Sequence, residues 1–456
     1  MENKKFLIIG GGVLLLIIVL VLFLISSCSN KKNNQAGPNT LTVWGYEDDQ
    51  SAFSQSISDF QNNHKNIKVN YVKKDFSTYL ADSLNEIAAG KGPDVWEIPN
   101  DWLPKYHDKL VAMPDNKIAD SKQKKTDIDI YKETFVPVAT QDNIINNKIY
   151  GMPMSIDTLV LYYNADIFSN ALSTYQLNHE DEDNTEVRDI LSIGPANWDQ
   201  FVRAVRIVTD KSGDKINLSA AAIGTNDNVL ESVDILTLLM LQNGAKMTSD
   251  DLSTAQFATK QNVFGGTDFP GTKALDFYAS FANPNNDNYT WNSSMPDTLH
   301  AFAEGTTAMM IGYQSQEQEI QRINKRLNYR IVPVPQIKET KNPINYASYP
   351  CFTVTKAAKD SNLSWDFVNF ITGHTSVSYY ISVTKKTSAL LEYINNSSET
   401  VPIEAKTAQS WYKPEPAKSD QIFKDMIKQV NDGKNPQTAI ENAASQITTL
   451  LGQLKQ

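Results

Sequence analysis

Strand and helix patterns alternate in the first part of the chain, and this alternation restricts the fold more than any other feature of the sequence. Short apolar strand patterns span 41–44, 67–72 and 94–98, and apolar residues recur at helical spacing over 51–62 and 79–89. This order of elements is typical of a parallel sheet covered by helices. The sequence therefore predicts an α/β fold.

The rest of the chain continues this mixed pattern over enough length for a second core. Helices are predicted at 198–208 and 230–242, and the chain after 355 is predicted to be largely helical. Because 456 residues exceed the usual size of one compact core, two lobes are expected. Further strands are predicted at 148–153, 159–163, 308–311, 330–334 and, as the last strand, 351–355.

The N-terminal segment has the pattern of an export signal or a membrane anchor. Two lysines precede an uncharged apolar run at 6–25, long enough to span a bilayer as a helix. The run ends in Leu-Ile-Ser-Ser-Cys, which resembles a bacterial lipobox, so residues 1–28 are interpreted as a signal peptide with lipidation of Cys28. An uncleaved membrane helix is the alternative. Both interpretations anchor an extracytoplasmic chain to the membrane through a flexible polar tether at 29–39.

Charge, cysteine and histidine content argue against several classes of function. The net charge of -10 and a pI near 5.1 disfavour a nucleic acid partner, which requires a basic face. Besides Cys28, the chain has only Cys351, which is expected to be a buried thiol in a strand. The five histidines are not at metal-binding spacing, and no phosphate loop, dinucleotide fingerprint or nucleophile elbow occurs. No metal or cofactor is therefore expected.

Four segments, in order along nearly the whole mature chain, carry a resemblance to a known family. They are Leu-Thr-Val-Trp-Gly-Tyr at 41–46, Ala-Ala-Gly-Lys-Gly-Pro-Asp-Val at 88–95, the stretch from Tyr-Gly-Met-Pro to Leu-Tyr-Tyr-Asn at 150–164, and Phe-Ala-Glu-Gly-Thr-Thr-Ala-Met-Met-Ile-Gly at 302–312. Together they resemble the extracellular solute-binding family that includes maltose-binding protein.

The resemblance implies a two-lobed, periplasmic-binding-protein-like fold with an interlobe cleft and a hinge. One lobe is expected to contain 40–156 and about 351–395, and the other 157–348 and about 400–456. The resemblance also implies a monomer that is not an enzyme. Such a protein binds a mono- or oligosaccharide in the cleft and passes it to the permease subunits of an ABC importer.

The same resemblance places candidate ligand contacts in the first lobe and at the crossing between the lobes. Tyr46 and Asp48 follow the first strand, and Asp101 and Trp102 follow the third. Asp157 stands where the maltose binder carries a sugar-contacting glutamate. Carboxylates accept hydrogen bonds from sugar hydroxyls, and aromatic rings pack on the C–H faces of sugars. The structural alternatives are that Asp48 or Asp101 caps a helix, that Trp102 packs inside its lobe, and that Asp157 braces the crossing strand.

The second lobe is expected to add further polar and aromatic contacts. Asn226 and Asp227 occupy a loop that bears polar contacts in the family, and Tyr313 follows a strand where the family offers an aromatic ring. Trp411, with Tyr412 beside it, is a candidate for another ring. Because no arginine occurs in these segments, a phosphate or carboxylate ligand is disfavoured. The ligand is predicted to be a carbohydrate.

Two other classes of function use the same residues. A secreted carbohydrate-active enzyme would cleave sugars with a carboxylate pair such as Asp101 and Asp157. A ligand-sensing partner of a membrane receptor would bind its ligand in the same cleft but present a different outer surface.

Overall fold

A computed structural model describes residues 39–180, 183–263 and 266–454. The candidate lipidation site Cys28, the apolar run before it and all of the predicted tether except Asn39 lie outside the described residues. Among the helices of the described ranges, none combines the length and the apolar character needed to cross a bilayer.

Seventeen strands lie in the described part of the chain. In order they are β1 (Asn39–Gly45), β2 (Ile67–Lys73), β3 (Val95–Pro99), β4 (Ile144–Ile145), β5 (Lys148–Ile149), β6 (Gly151–Met152), β7 (Ser155–Asn164), β8 (Asp210–Ser212), β9 (Lys215–Ala222), β10 (Gln261–Val263), β11 (Gly266–Asp268), β12 (Thr307–Tyr313), β13 (Tyr329–Pro333), β14 (Asn345–Ser348), β15 (Pro350–Val354), β16 (Thr387–Ser388) and β17 (Ala408–Gln409).

The first sheet has the strand order β2-β1-β3-β15-β6. Strands β1, β2 and β3 are parallel, which confirms the parallel sheet predicted from their alternation with helices. Strand β15 is antiparallel to β3 and begins with Pro350 opposite Pro99, where β3 ends. Strand β15 enters from the second sheet after a single residue that follows β14, and it joins the three parallel strands in the opposite direction.

Apolar side chains cover both faces of the first sheet. Val43 and Val95 pack in one buried cluster, whereas their neighbours Trp44 and Trp96 pack in a cluster on the opposite face. A sheet that is buried on both faces has nearly continuous apolar strands. Cys351, in β15, is a free and buried thiol as predicted.

The second sheet has the order β17-β14-β7-β12-β9-β8, and β13 and β16 also pair with β7. Strand β7 is the longest and runs antiparallel to β12, β13, β14 and β16. Strands β9 and β12 are parallel, so both end at the same edge of this sheet. Strands β4 with β5 and β10 with β11 form two small separate pairs.

Helices cover both sheets. The helix Trp198–Val208 is confirmed: the side chain of Asn197 accepts a hydrogen bond from the N–H of Gln200 at 3.0 Å, and one apolar face is buried. The helices are Ser54–Asn63, Phe76–Ala88, Leu103–Tyr106, Asp127–Thr134, Pro137–Asn143, Ala165–Asn178, Thr185–Ile193, Trp198–Val208, Ser232–Gln242, Pro270–Ser280, Thr298–Ala303, Glu317–Ile323, Ser361–Ile371, His374–Thr384, Leu391–Asn395, Thr400–Ile403, Pro416–Asn431 and Pro436–Leu454.

The chain passes between the sheets at three places. It leaves β6 of the first sheet for β7 of the second, returns from β14 to β15, and reaches β16 and β17 after the helices that follow β15. The chain after β15 is largely helical as predicted, but β16 and β17 show that β15 is not the last strand. The limits of the two lobes stay a prediction.

Candidate functional site

The carboxyl ends of β1 and β3 bring the first group of candidate residues together. Tyr46 directly follows β1, and Asp101 lies in a single helical turn that directly follows β3. Neighbouring parallel strands end at the same edge of a sheet, which is the usual ligand-binding edge of open α/β sheets. The N–H of Tyr46 donates to Oε2 of Glu97 at 3.0 Å. Burial, with the nearby Glu47 carboxylate, raises the pKa of Glu97 to about 8, so this buried acid is largely neutral at pH 7.

Asp157 lies on β7, next to the crossing between the sheets. Its Oδ2 accepts a hydrogen bond from the N–H of Ser315 at 3.3 Å. Burial raises the pKa of Asp157 to about 6 despite this hydrogen bond. Asp157 therefore retains acceptor capacity and is largely ionised at neutral pH.

The end of β12 and the start of the helix Ser232–Gln242 form the facing edge of the second sheet. The hydroxyl of Tyr313 donates to Oδ2 of Asp234 at 2.9 Å, and the side-chain amide of Gln316 donates to Oε1 of Glu231 at 2.6 Å. Both acids lie at the helix N-terminus, where the helix dipole favours negative charge. Burial raises the pKa of Glu231 to about 7.

Lys413 links the edges of the two sheets. Its ammonium nitrogen lies 2.9 Å from Asp420, 3.6 Å from Asp101 and 3.6 Å from Asp234, and its side chain is only 5% exposed. Burial lowers the pKa of Lys413, but Tyr346 and the three carboxylates raise it well above its ordinary value. Burial raises the pKa of Asp101 to about 6 in spite of the ammonium beside it. A permanent cation therefore joins Asp101 of the first sheet to Asp234 of the second.

A second lysine binds the loop after β1. The ammonium of Lys386 donates to Glu47 Oε1 at 2.6 Å and to Asp48 Oδ2 at 2.8 Å. The hydroxyl of Tyr380 also donates to Asp48 Oδ2, at 2.6 Å. The residue at the N-cap of the helical turn that follows is Asp49, and the Asp48 carboxylate is bound by Lys386 and Tyr380, so the capping alternative is wrong for Asp48. The side chain of Asp48 instead fastens the β1 loop to residues just before β16.

Two cavities lie near these contacts, one beside Asp101, a partner of Lys413, and one beside Lys386. The larger, about 710 Å³, is lined from both halves of the molecule by Asp101, Trp411 and residues 245–250, among others. The smaller, about 50 Å³, contains Asp157 and Gln314 in its wall. Drug-sized ligands occupy about 300–1,000 Å³, so only the larger cavity accepts a sugar ring without movement of the lobes.

Two of the predicted aromatic contacts, Trp102 and Trp411, are largely buried. Trp102 is buried beside Trp96 and Tyr106. This position agrees with the alternative that Trp102 packs inside its own lobe. Trp411 is also buried, with its ring 5.6 Å from that of Phe423. These two indoles mainly stabilise cores.

Within the described residues, Asn226 and Asp227 of the loop after β9 form hydrogen bonds with residues close to them in the chain and not with the residues around Lys413. Asp227 is exposed, and its Oδ1 accepts from the N–H of Asn228 at 3.0 Å. The backbone carbonyl of Asn226 accepts from the hydroxyl of Ser232 at 3.2 Å. The loop nevertheless lies at the same edge of the second sheet as Tyr313, because β9 and β12 are parallel.

Sequence reasoning missed four charged residues of this region. Glu231 directly precedes a strongly apolar helix, and Asp234 lies in its first turn. Acidic residues at the start of such an apolar helix are a sequence signal that could have identified them as candidates. Lys386 and Lys413 follow helical or irregular segments, and nothing in their local sequence predicts their carboxylate partners. The described residues contain no group of three or more His, Cys, Asp or Glu arranged to hold a metal ion.

Comparison with known proteins places the chain in a family. The family model described as a bacterial extracellular solute-binding protein matches residues 44–377, well over half of the chain. The chain belongs to this family. The resemblance inferred from four short segments is thereby confirmed.

Curated relatives of this solute-binding protein match over shorter stretches. A galactooligosaccharide-binding protein of Bacillus subtilis is 26% identical over 129 residues, which are 28% of each chain. A maltodextrin-binding protein of the same organism is 26% identical over 141 residues, or 31% of this chain and 30% of the relative. The matched regions thus cover less than a third of the length of each of these two relatives.

Solved structures match the solute-binding protein over nearly its whole length. The cyclic α-maltosyl-1,6-maltose binding protein from Arthrobacter globiformis has a TM-score of 0.69 at 17% identity, covering 91% of this chain and 99% of that one. An extracellular solute-binding protein from Staphylococcus aureus in complex with maltose has a TM-score of 0.66 at 16% identity, with the same coverage. The predicted two-lobed α/β fold is confirmed.

Proposed function

We propose that this solute-binding protein captures a carbohydrate outside the cytoplasm and delivers it to the permease subunits of an ABC importer. The observation that carries the proposal is the convergence of carboxyl groups and aromatic side chains at the facing edges of two sheets. Asp101 and Tyr46 lie at the edge of the first sheet, and Asp234 and Tyr313 lie at the edge of the second. Relatives that bind galactooligosaccharide and maltodextrin support a sugar as the ligand.

The chemistry of these edges suits a polyhydroxylated, uncharged ligand. Sugar hydroxyls donate to carboxylates, and the C–H faces of the ring pack on aromatic side chains. The positive charges at these edges, on Lys386 and Lys413, are already paired with carboxylates. A ligand that carries a phosphate or a carboxylate would meet negative charge from Asp157, whose pKa of about 6 leaves it largely ionised at neutral pH.

Access of a sugar to Asp157 requires the two lobes to move. Because the cavity around Asp157 has a volume of only about 50 Å³, a sugar reaches this carboxylate only after the lobes separate. The connections between the sheets are short extended segments, such as the single residue Tyr349 between β14 and β15. Small backbone changes in such segments produce hinge motion.

A thermal-shift screen over sugars, polyols, amino acids and peptides tests the proposed ligand class. A sugar that binds only the native state at 100 times its Kd adds about 2.7 kcal/mol to the free energy of unfolding. We expect an oligosaccharide to raise the melting temperature most and to remain uncleaved after incubation. Because the lobes close on the ligand, solution scattering should show a smaller radius of gyration when the ligand saturates. A response to amino acids or peptides alone contradicts the proposal, and the appearance of cleavage products favours the enzyme.

We also propose that the protein is anchored to the membrane through a lipid on Cys28. The lipobox-like segment and the polar tether after it support this anchoring. We expect a fatty-acid probe to label the wild-type protein in bacterial cells and not to label Cys28→Ala. A matched Cys351→Ala variant should label normally. Persistent labelling of Cys28→Ala, or a mature chain that still begins at Met1, contradicts lipidation and supports an uncleaved helix.

A further inference from the structure

We infer that Phe76 is a stacking platform for a pyranose ring of the ligand. This inference rests on the proposed sugar-binding function. It states that the C–H face of a pyranose ring packs on the Phe76 side chain. Phe76 is 52% exposed, and it is the only aromatic residue among the large exposed hydrophobic side chains of the described residues.

The ring of Phe76 is held by two other aromatic rings. Its centroid lies 5.7 Å from that of Trp102 at an interplanar angle of 19°, and 4.9 Å from that of Tyr46 at 38°. Trp102 itself is buried, so the stack stands on the core of the first lobe. One side of the Phe76 ring therefore packs on protein while much of the rest faces solvent.

The backbone around Phe76 fixes this position. Phe76 is the first residue of the helix Phe76–Ala88, and the preceding Asp75 caps that helix by accepting from the N–H of Ser77 at 2.9 Å. A capped first turn and two flanking rings leave the side chain little freedom. Less conformational entropy is then lost when a ligand packs on it.

The strand order places Phe76 at the ligand-binding edge. Tyr46 follows β1, Phe76 follows β2, and Trp102 follows β3, and these three strands are parallel neighbours in the order β2-β1-β3. All three rings therefore lie at the carboxyl edge of the first sheet, where Asp101 directly precedes Trp102 in the turn after β3. An apolar ring and a carboxylate at one sheet edge match the two kinds of surface on a pyranose, its C–H face and its hydroxyl rim.

Calorimetric titration with maltose, maltotriose and a galactooligosaccharide tests this platform. Phe76→Leu keeps an apolar side chain over Trp102 but removes the ring, and we expect its affinity for the bound sugars to fall about 2- to 10-fold. Phe76→Tyr keeps the ring and should bind within about twofold of wild type. The ligand-free melting temperature of both variants should stay near that of wild type, because Phe76 is half exposed.

The control variant is Leu177→Ala, which changes an exposed apolar residue on a helix outside the first sheet and should leave affinity unchanged. If the wild type binds a sugar and Phe76→Leu binds it equally well, the platform is wrong and the proposed function stands. If the wild type binds none of these sugars while another class of ligand raises its melting temperature, the proposed function and the platform fall together.

Discussion

Replacement of Lys413 by methionine is expected to lower the free energy of unfolding by about 3–5 kcal/mol at pH 7.5. The ammonium lies within 3.6 Å of Asp101, Asp234 and Asp420, and its side chain is 5% exposed. Its removal leaves three carboxylates close together with no cation between them. Urea denaturation of the ligand-free protein measures this loss, and scattering should show a larger radius of gyration because carboxylates from the two sheets then repel each other.

Two matched variants separate the charge of Lys413 from its packing. Lys413→Arg keeps the positive charge and should retain more stability than Lys413→Met. Adding Asp420→Asn to Lys413→Met removes one of the repelling carboxylates and should recover part of the loss. A Lys413→Met protein with wild-type unfolding free energy contradicts the proposed role of Lys413 as the link between the lobes.

The effect of Lys413→Met should also depend on pH. Burial raises the pKa of Asp101 to about 6 even beside the ammonium, and removal of that ammonium raises the pKa further. Below pH 6 Asp101 therefore takes up a proton, and its repulsion from the neighbouring carboxylates weakens. We expect the stability difference between wild type and variant to be smaller at pH 5.5 than at pH 7.5.

Replacement of Asp157 by alanine is expected to weaken sugar binding by about 10- to 150-fold, which corresponds to about 1.5–3 kcal/mol for a hydrogen bond to a charged group. The Asp157 carboxylate accepts a hydrogen bond from the N–H of Ser315 at 3.3 Å. Its remaining acceptor capacity is available to a sugar hydroxyl, which would be left unpaired in the variant. Calorimetry with the sugar that gives the largest thermal shift measures the loss.

Asp157→Asn distinguishes ligand binding from bracing of the β7 crossing. Because burial places the folded pKa of Asp157 at about 6, above the value near 3.9 in unfolded chains, its ionisation disfavours folding as pH rises from about 4 to 6. The neutral asparagine should therefore leave stability at pH 7.5 equal or higher while affinity falls. A matching loss of melting temperature and affinity would instead identify Asp157 as a structural brace.

The pH profile of binding provides a second test of Asp157. Sugar hydroxyls that donate to a carboxylate favour its ionised form, so binding lowers the pKa of Asp157 and releases protons. Wild-type affinity is expected to be constant above pH 7 and to fall below pH 6. The decrease in affinity below pH 6 should be shallower in Asp157→Asn. The pH dependence that remains in this variant is expected to come from Asp101. Identical profiles in the two proteins would remove Asp157 from the binding site.

Local sequence determined much of the fold. The helix Trp198–Val208 begins at the Asn197 cap and buries the apolar face that its spacing predicts. Strands β1, β2 and β3 form the predicted parallel sheet because their order with intervening helices permits few other arrangements. The family resemblance proposed Tyr46 and Asp101 as ligand contacts, and in the structure both follow neighbouring strands of this sheet at their carboxyl ends. Their contact with ligand stays a prediction.

Only the tertiary structure decided how the charged and aromatic residues are paired. Lys386 is 338 residues from Asp48, and Lys413 is 312 positions after Asp101, so no local pattern predicts these contacts. The same holds for Trp102, which local sequence places at the ligand edge but whose ring is buried beneath Phe76. Local sequence specifies where a strand or helix ends, because caps and apolar spacing act over a few residues. Which side chain faces ligand and which packs in the core depends on distant segments that meet only in the folded protein.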